Sequence, residues 1–179
     1  GIVNSVGDGV SGGAIVGGVG NDIEAGDGSS DESFLEGGAH NTIVDGEHSV
    51  IGGGTKNEVN GGHRATIGGG IGNGATAEGS TISGGISNKA GGKYSSIPGG
   101  RHNRANGEDS FAVGNSANAK HDSAAVLSFR TPFPGPICES VAEKTVTICT
   151  DAVHFQTDTV LIQDVNVGQS IADLETEVT

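Results

Sequence analysis

A motif that returns every fifteen or sixteen residues constrains the fold of this chain more than any other feature of the sequence. The copies from Leu35 to Asn103 each carry a Leu or Ile, a Gly-Gly pair two residues later, and an Asn four residues after the first Gly, and the copy that ends at Asn118 has Ala112 and Gly114-Asn115 instead. The Asn column consists of Asn41, Asn57, Asn73, Asn88, Asn103 and Asn118, and the aliphatic column runs Leu35, Ile51, Ile67, Ile82, Ile97, Ala112 and Leu127. Looser copies extend back to Asn4, so the sequence predicts a repeat architecture over most of its length.

Alternation of apolar and polar residues within each copy predicts two short strands per repeat. Period-two alternation places the aliphatic residues on one face of a strand, and Gly and Asn tolerate the positive φ that tight corners require. Stacked copies would pair strand on strand at a spacing of ~4.8 Å. The expected fold is an all-β parallel β-solenoid whose equivalent side chains form ladders, including an Asn ladder.

The composition leaves little material for a core. Gly accounts for 34 of the 179 residues, and the chain has five Phe, one Tyr and no Trp. Each repeat offers about two sizeable aliphatic side chains, which contribute ~1.5–3 kcal/mol apiece when buried, against a chain entropy of ~1–2 kcal/mol per residue. A second burial surface is needed, and we expect self-association along the solenoid axis.

Three segments resemble the head repeats of the trimeric autotransporter adhesins, the YadA-like left-handed parallel β-roll: SVIGGG (49–54), GSTISGGISNKAGG (79–92) and SFAVGNSANA (110–119). The likeness covers about residues 2–128. It implies a left-handed β-roll, here with coils of 15–16 residues, that assembles as a homotrimer, is displayed at a surface and has an adhesive role. Such repeats also occur in virus and phage fibres, so the fold transfers more directly than the biology.

After Phe129 the repeat ends, and the Pro- and Gly-rich residues 131–136 predict a linker. We expect residues 137–150 to form a β-hairpin with its turn near Ala142–Lys144, followed by further strands within 153–167.

The last residues predict the start of a coiled-coil stalk. Ile171, Leu174 and Val178 have the 3-4 spacing of one heptad, and an amphipathic surface helix is the alternative. The predicted domains are a β-roll head over 1–129, a hairpin and β-rich neck over 130–168 and the beginning of a coiled coil over 169–179.

Two cysteines, Cys138 and Cys149, lie eleven residues apart in a β-patterned stretch. A cross-strand disulfide in a secreted protein is the preferred interpretation, and two buried free thiols are the alternative. We expect no metal site here, because two Cys and the nearby His154 fall short of the usual four ligands.

Charge and hydropathy exclude two classes of partner. The net charge is −13 and no segment carries a net positive charge, which argues against generic nucleic-acid binding. No run of about 18 apolar residues is present, so we expect no direct membrane insertion in this segment.

A group of cations on two adjacent repeats is the candidate ligand site. Carboxylated or sulfated glycans could be held there by charge-assisted hydrogen bonds. The group consists of Lys89, Lys93, Arg101, His102 and Arg104. The alternative is that these are solvated charges paired with Glu78, Glu108 and Asp109.

The sequence therefore predicts a non-enzymatic, extracellular, fibrous homotrimer at a cell or virion surface, which attaches to a surface, a glycan or a matrix ligand and needs no cofactor. One alternative is the receptor-binding tip of a virion or phage fibre. The other is a β-helix enzyme that processes polysaccharides, although such enzymes usually have longer coils and a wide groove with clustered Asp and Arg or Lys.

Overall fold

The computed structural model describes residues 3–26, 32–129 and 137–150, and every element assigned in these ranges is a β-strand. The strands are two to five residues long, and each pairs in parallel with strands of neighbouring coils. Two sheets run along the stack, and the chain passes alternately from one to the other. The all-β parallel β-solenoid that the repeat predicts is confirmed.

Sheet 1 contains nine strands: β1 (Ser5–Val6), β3 (Asp22–Glu24), β5 (Thr42–Val44), β7 (Glu58–Asn60), β9 (Gly74–Ala75), β11 (Lys89–Ala90), β14 (Arg104–Ala105), β16 (Ala117–Ala119) and β18 (Cys138–Glu139). Sheet 2 contains ten: β2 (Ala14–Ile15), β4 (Phe34–Leu35), β6 (Val50–Ile51), β8 (Thr66–Ile67), β10 (Thr81–Ile82), β12 (Ser96–Ile97), β13 (Gly100–Arg101), β15 (Phe111–Asn115), β17 (Ala125–Ser128) and β19 (Val146–Cys149). A row of single bridges at the corner after sheet 2 joins Val19, Ala39, Thr55, Ile71, Ile86 and Arg101.

Equivalent apolar residues lie one above another in the interior. Ile51 pairs with Ile67 in sheet 2, and Val59 pairs with Ala75 in sheet 1. The buried columns include Leu35, Ile51, Ile67, Ile82, Ile97 and Ala112 from sheet 2, and Ile23, Ile43, Val59, Ala75, Ala90 and Ala105 from sheet 1. Each coil in these columns supplies one apolar residue from each sheet, so the core is as thin as the composition predicts.

A continuous ladder of buried Asn side chains joins the coils. The backbone N–H of Asn73 donates to Asn57 Oδ1, and the N–H of Asn88 donates to Asn73 Oδ1, both at 3.0 Å. Asn73 Nδ2 donates to the carbonyl oxygens of Gly69 in its own coil (2.9 Å) and Gly85 in the next (3.0 Å). Asn73 Nδ2 also lies 3.2 Å from Asn57 Oδ1 and donates to it, so this one amide side chain bonds to three successive coils. The predicted ladder is confirmed through Asn4, Asn21, Asn41, Asn57, Asn73, Asn88 and Asn103.

The second glycine of each Gly-Gly pair allows the coils to approach. Gly70 has a φ of 93°, a left-handed conformation that glycine adopts readily. A Cβ on Gly70 would lie 2.2 Å from the carbonyl oxygen of Gly85, and a Cβ on Gly54 would lie 2.2 Å from that of Gly70. No side chain fits at this corner, so both backbone conformation and stacking require glycine.

One coil near the end of the Asn ladder is a residue shorter than the coil before it. Arg104 pairs with Asn118, so Ala117 lies below Asn103 and donates its N–H to Asn103 Oδ1 at 2.9 Å. The prediction that Asn118 continues the ladder is wrong. Its side chain is half-buried and donates from Nδ2 to Glu139 Oε1 at 2.8 Å. The physical reason is a coil of fourteen residues at this point, which moves each later residue by one position.

The same shift changes the aliphatic column. Ala112 pairs with Val126, which is fully buried, whereas Leu127 pairs with Val113 on the outer side of sheet 2. The prediction of Leu127 in this column is therefore wrong by one residue, because a one-residue shift moves a strand side chain to the opposite face.

Residues 137–150 form a further coil of the solenoid and not the predicted β-hairpin. β18 pairs in parallel with β16, and β19 pairs in parallel with β17, so the two strands belong to different sheets. The turn between them is a solenoid corner, since Lys144 has a φ of 56° there and Ser123 has a φ of 54° in the preceding coil. A hairpin would instead pair β18 with β19.

The predicted disulfide is confirmed. The Sγ atoms of Cys138 and Cys149 lie 2.10 Å apart and their Cα atoms 5.9 Å apart. The bond joins the start of β18 to the end of β19, and Cys138 is buried in the core.

Several predictions concern residues that the structure does not describe. The linker over 131–136, the strands within 153–167 and the coiled-coil residues Ile171, Leu174 and Val178 lie outside the described residues. The homotrimer and the division into head, neck and stalk remain predictions.

Candidate ligand-binding site

A notch of about 550 Å³ opens on the outer face of sheet 1. Its lining comes from four successive coils, so stacking brings together residues far apart in sequence. The lining residues are Glu58, Asn60, Gly72, Gly74, Thr76, Ser87, Asn88, Lys89 and Arg104. We call this feature the Gly74 notch.

The notch exists because one coil lacks a side chain in an outward column. The register places Thr42, Glu58, Gly74, Lys89 and Arg104 one above another on adjacent strands. A Cβ on Gly74 would meet no atom within 4 Å, and Gly74 does not have a positive φ. Neither backbone conformation nor packing requires glycine here, and its absent side chain leaves the floor open.

The two walls of the notch carry opposite charges. On one side, Asn60 Nδ2 donates a hydrogen bond to Glu58 Oε1 at 3.1 Å. On the other side, Lys89 and Arg104 are exposed on directly paired strands, and neither makes an ion pair within the described residues. Ser87, also exposed, lies on the basic side. Hydrogen-bond acceptors beside Glu58 therefore face hydrogen-bond donors beside Lys89, across the coil that contains Gly74.

Lys93 belongs to a different surface from the notch. Its Nζ lies 3.2 Å from Glu78 Oε2, and Arg64 Nη1 lies 3.2 Å from Glu78 Oε1. The hydrogen bond from Lys93 and its positive charge lower the pKa of Glu78, and Glu78 in turn raises the pKa of Lys93. The alternative prediction, in which surface cations pair with neighbouring acids, is confirmed for Lys93.

Arg101 and His102 lie at the corner between the sheets. Arg101 occupies the row of single bridges below Ile86, and the N–H of His102 donates to the Ile86 carbonyl oxygen at 2.9 Å. The structure thus divides the predicted cationic group. Lys89 and Arg104 are adjacent in the notch, Lys93 is paired with Glu78, and Arg101 and His102 do not line the notch.

A second surface of note is nearly free of charge. It comprises the outward residues of sheet 2 and the adjacent row of single bridges, which we call the uncharged face: Phe34, Val50, Thr66, Thr81, Ser96 and Phe111 on the strands, and Val19, Ala39, Thr55, Ile71 and Ile86 at the corner. Ile71 and Ile86 are 53% and 47% exposed. Between Phe34 and Phe111, the charged residues on this side are Glu36, Arg101 and Lys56, and Lys56 follows Thr55 at the corner.

Among the described residues, the structure contains neither a cluster of metal-binding side chains nor a helix that could span a membrane. The described part of the chain holds no group of three or more His, Cys, Asp or Glu side chains placed to bind a metal ion. Across residues 3–26, 32–129 and 137–150, no helix has the length and hydropathy needed to cross a bilayer.

The sequence prediction missed the acidic wall and the glycine floor of the notch, because the predicted ligand site included only cations. The sequence nevertheless contains a signal for both features. In the aligned repeats, Gly74 stands where neighbouring copies have Glu58 and Lys89, so one coil lacks a side chain between an acid and a base.

Comparison with protein-family models gives no match to the chain, and comparison with curated proteins gives no significant match.

Proposed function

We propose that this chain forms the head of an extracellular homotrimeric fibre that attaches to a surface or a glycan. The observation that carries the proposal is the separation of charge between the two sheets. Sheet 1 presents Glu58, Lys89 and Arg104 outward, whereas the uncharged face lies on sheet 2. The uncharged face therefore suits contact with other copies of the chain, and the outer face of sheet 1 suits contact with a polar ligand.

The thin core supports assembly. A coil such as that containing Ile67 buries one large aliphatic side chain and the two methyl groups of Ala65 and Ala75. Ile71 and Ile86, at the corner after sheet 2, are about half exposed, and burying the rest of each side chain against other copies would add about half of the ~1.5–3 kcal/mol of full burial. Depletion of charged residues is typical of the buried centre of protein–protein interfaces.

The disulfide supports a location outside the cytoplasm. Disulfides persist in oxidising compartments and are rare among cytosolic proteins. The Cys138–Cys149 bond lies at the end of the described solenoid, and it would persist on a cell or virion surface.

The chemistry of the notch favours binding over hydrolysis. Among the described residues that line it, Glu58 is the one carboxylate. Glycoside hydrolysis generally uses a pair of carboxylates, one as acid and one as base or nucleophile. A single carboxylate opposite two cations is better suited to holding a polar ligand.

Sedimentation velocity tests the assembly. We expect a particle of three times the 17.6 kDa chain mass. The Ile71→Lys and Ile86→Lys double variant should sediment as a monomer, because it places charge on the uncharged face. Val141→Lys, which changes a 77% exposed residue after β18 in sheet 1, should remain trimeric. A wild-type monomer, or a trimer that survives the double substitution, contradicts this assembly.

Attachment is tested separately by retention of the labelled protein on immobilised glycans and on cells. Retention that depends on trimer formation supports the adhesive role, because three linked sites gain avidity over one. A trimer that is retained on neither surface contradicts the adhesive role while leaving the fibre assembly intact.

A further inference from the structure

We propose that the Gly74 notch is a binding site for an acidic sugar residue, with Lys89 and Arg104 holding its carboxylate and Glu58 and Asn60 holding its hydroxyl groups. This inference deepens the proposed function and rests on it, since it names the class of glycan that the head binds. It differs from the sequence prediction in both residues and chemistry, because the site has an acidic wall and excludes Lys93, Arg101 and His102 from its lining.

The dimensions of the notch suit one sugar ring. Glu58 and Lys89 lie on strands separated by one intervening strand, which places their backbones ~10 Å apart. The Gly74 floor between them leaves this width free of side chains. The volume of about 550 Å³ falls within the range typical of small-ligand sites.

Lys89 and Arg104, which form the basic wall, can together bind one carboxylate group. Arg104 can donate two parallel hydrogen bonds to a carboxylate, and Lys89 adds a compact positive charge on the directly paired strand. Within the described residues neither side chain makes an ion pair, in contrast to Lys93 with Glu78. Their charges are therefore available to a ligand without breaking an existing bond.

The acidic wall selects against heavily charged polymers. Asn60 Nδ2 donates to Glu58 Oε1, which orients the carboxylate and leaves its other oxygen to accept hydrogen bonds from sugar hydroxyls. A polymer with several sulfate groups would place negative charge against Glu58. The wall thus favours a ring with one carboxylate and several hydroxyls over a polysulfated one.

Gly74 offers a substitution that fills the notch without disturbing the fold. Thr42 occupies the same outward column two coils earlier, and Gly74 has room for a Cβ and no positive φ. Thr also favours strand conformation more than Gly does. Gly74→Thr should therefore block the ligand while thermal stability is kept or raised, a combination that damage to the fold would not produce.

Isothermal titration calorimetry on the full chain provides the test. The probes are oligosaccharides that end in galacturonate, glucuronate or N-acetylneuraminate, with neutral and sulfated galacto-oligosaccharides as comparisons. We expect wild-type protein to bind at least one carboxylated probe, and the neutral and sulfated probes at least tenfold more weakly. Gly74→Thr, Lys89→Gln and Arg104→Gln should each weaken binding at least tenfold, whereas Lys93→Gln, a matched loss of a cation outside the notch, should leave it unchanged.

Three results overturn the proposal. They are failure of every carboxylated probe to bind, equal or tighter binding of sulfated probes, and unchanged binding by stable Gly74→Thr protein. Sedimentation of the same samples separates the two proposals. A trimer that binds no acidic sugar overturns the notch assignment alone, and a monomer that binds one overturns the trimeric fibre alone.

Discussion

Asn103 Nδ2 donates a hydrogen bond of 2.9 Å to the carbonyl oxygen of Gly114, eleven residues later in the chain. Two coils further on, Cys138 and Cys149 occupy the equivalent positions, also eleven residues apart, and are joined by a disulfide. The covalent bond replaces the amide clamp at the end of the described solenoid. The Asn ladder stops at Asn103, and Ala117 and Cys138 take the next two positions of its column, so the disulfide clamps a coil that the ladder does not reach.

Removing the disulfide should therefore loosen the coil formed by residues 137–150. The Cys138→Ser, Cys149→Ser double variant should lose ~2–3 kcal/mol of unfolding free energy, because a closed loop of this size restricts the unfolded chain. Urea denaturation measures the loss, and hydrogen exchange should rise mainly in β18 and β19. Reductant should lower the stability of the wild-type protein to that of the variant and leave the variant unchanged. Equal stability of oxidised wild type and variant contradicts the clamp role.

The Asn ladder should be the most sensitive polar feature of the fold. Asn73→Ala leaves the N–H of Asn88 and the carbonyl oxygen of Gly69 without their side-chain partner, and each such buried group costs ~1–3 kcal/mol. We expect a total loss of ~3–5 kcal/mol by chemical denaturation. Asn118→Ala is the matched control, since Asn118 lies off the ladder, and it should lose less than ~1 kcal/mol. Similar losses for the two variants contradict the shifted register.

Two glycines four residues apart should respond in opposite ways to the same substitution. Gly70→Ala places a Cβ 2.2 Å from the Gly85 carbonyl oxygen at a positive φ, and we expect a loss of ~3–5 kcal/mol or failure to fold. Gly74→Ala meets no atom within 4 Å, and it should raise stability by up to ~1 kcal/mol because alanine loses less chain entropy on folding. Thermal and urea unfolding of both variants give the comparison. A destabilised Gly74→Ala protein contradicts the open floor of the notch.

The Asn ladder and the aliphatic ladder of the core were predictable from the sequence. The ladders of Asn57 and Ile67 follow from repeat spacing, because stacking places equivalent residues together and period-two alternation turns one column inward. The misplacement of Asn118 has a physical cause. Its spacing fits the sequence repeat, whereas register in three dimensions depends on a corner that is one residue shorter.

The candidate site was predictable only in part. Lys89 and Arg104 are neighbours in any stacked model of the repeat, and the sequence identified both. The contribution of Gly74 depends on an absent side chain between two charged walls, which a search for charged residues does not detect. The hairpin prediction for 137–150 failed for a related reason, since two short strands joined by a turn fit either one sheet or two.

The column of small residues before the sheet 2 strands provides another paired prediction. Ser49 Oγ donates to the Gly62 carbonyl oxygen at 2.7 Å, whereas Ser95 Oγ is buried and has no hydrogen-bond partner among the described atoms. Ser49→Ala should lose ~1 kcal/mol, and Ser95→Ala should gain ~0.5–1 kcal/mol by removing an unpaired hydroxyl. Ala65 in the same column shows that a methyl group fits there. Equal effects of the two substitutions in urea denaturation contradict this difference in hydrogen bonding.

The cluster around Glu78 should make stability depend on acid pH. The hydrogen bond and charge of Lys93, with a smaller contribution from Arg64, hold the pKa of Glu78 below its ordinary value of 4.5. Because the folded-state pKa is lower than the unfolded one, the stabilisation is present above pH 4.5 and is lost as pH falls through the folded value. Glu78→Gln should therefore be less stable than wild type at pH 7, and the difference should vanish at strongly acid pH. Urea titrations across this range measure it, and adding Lys93→Gln to both proteins should reduce the pH-dependent difference. A difference that stays constant with pH means that Glu78 acts through packing and not through its charge.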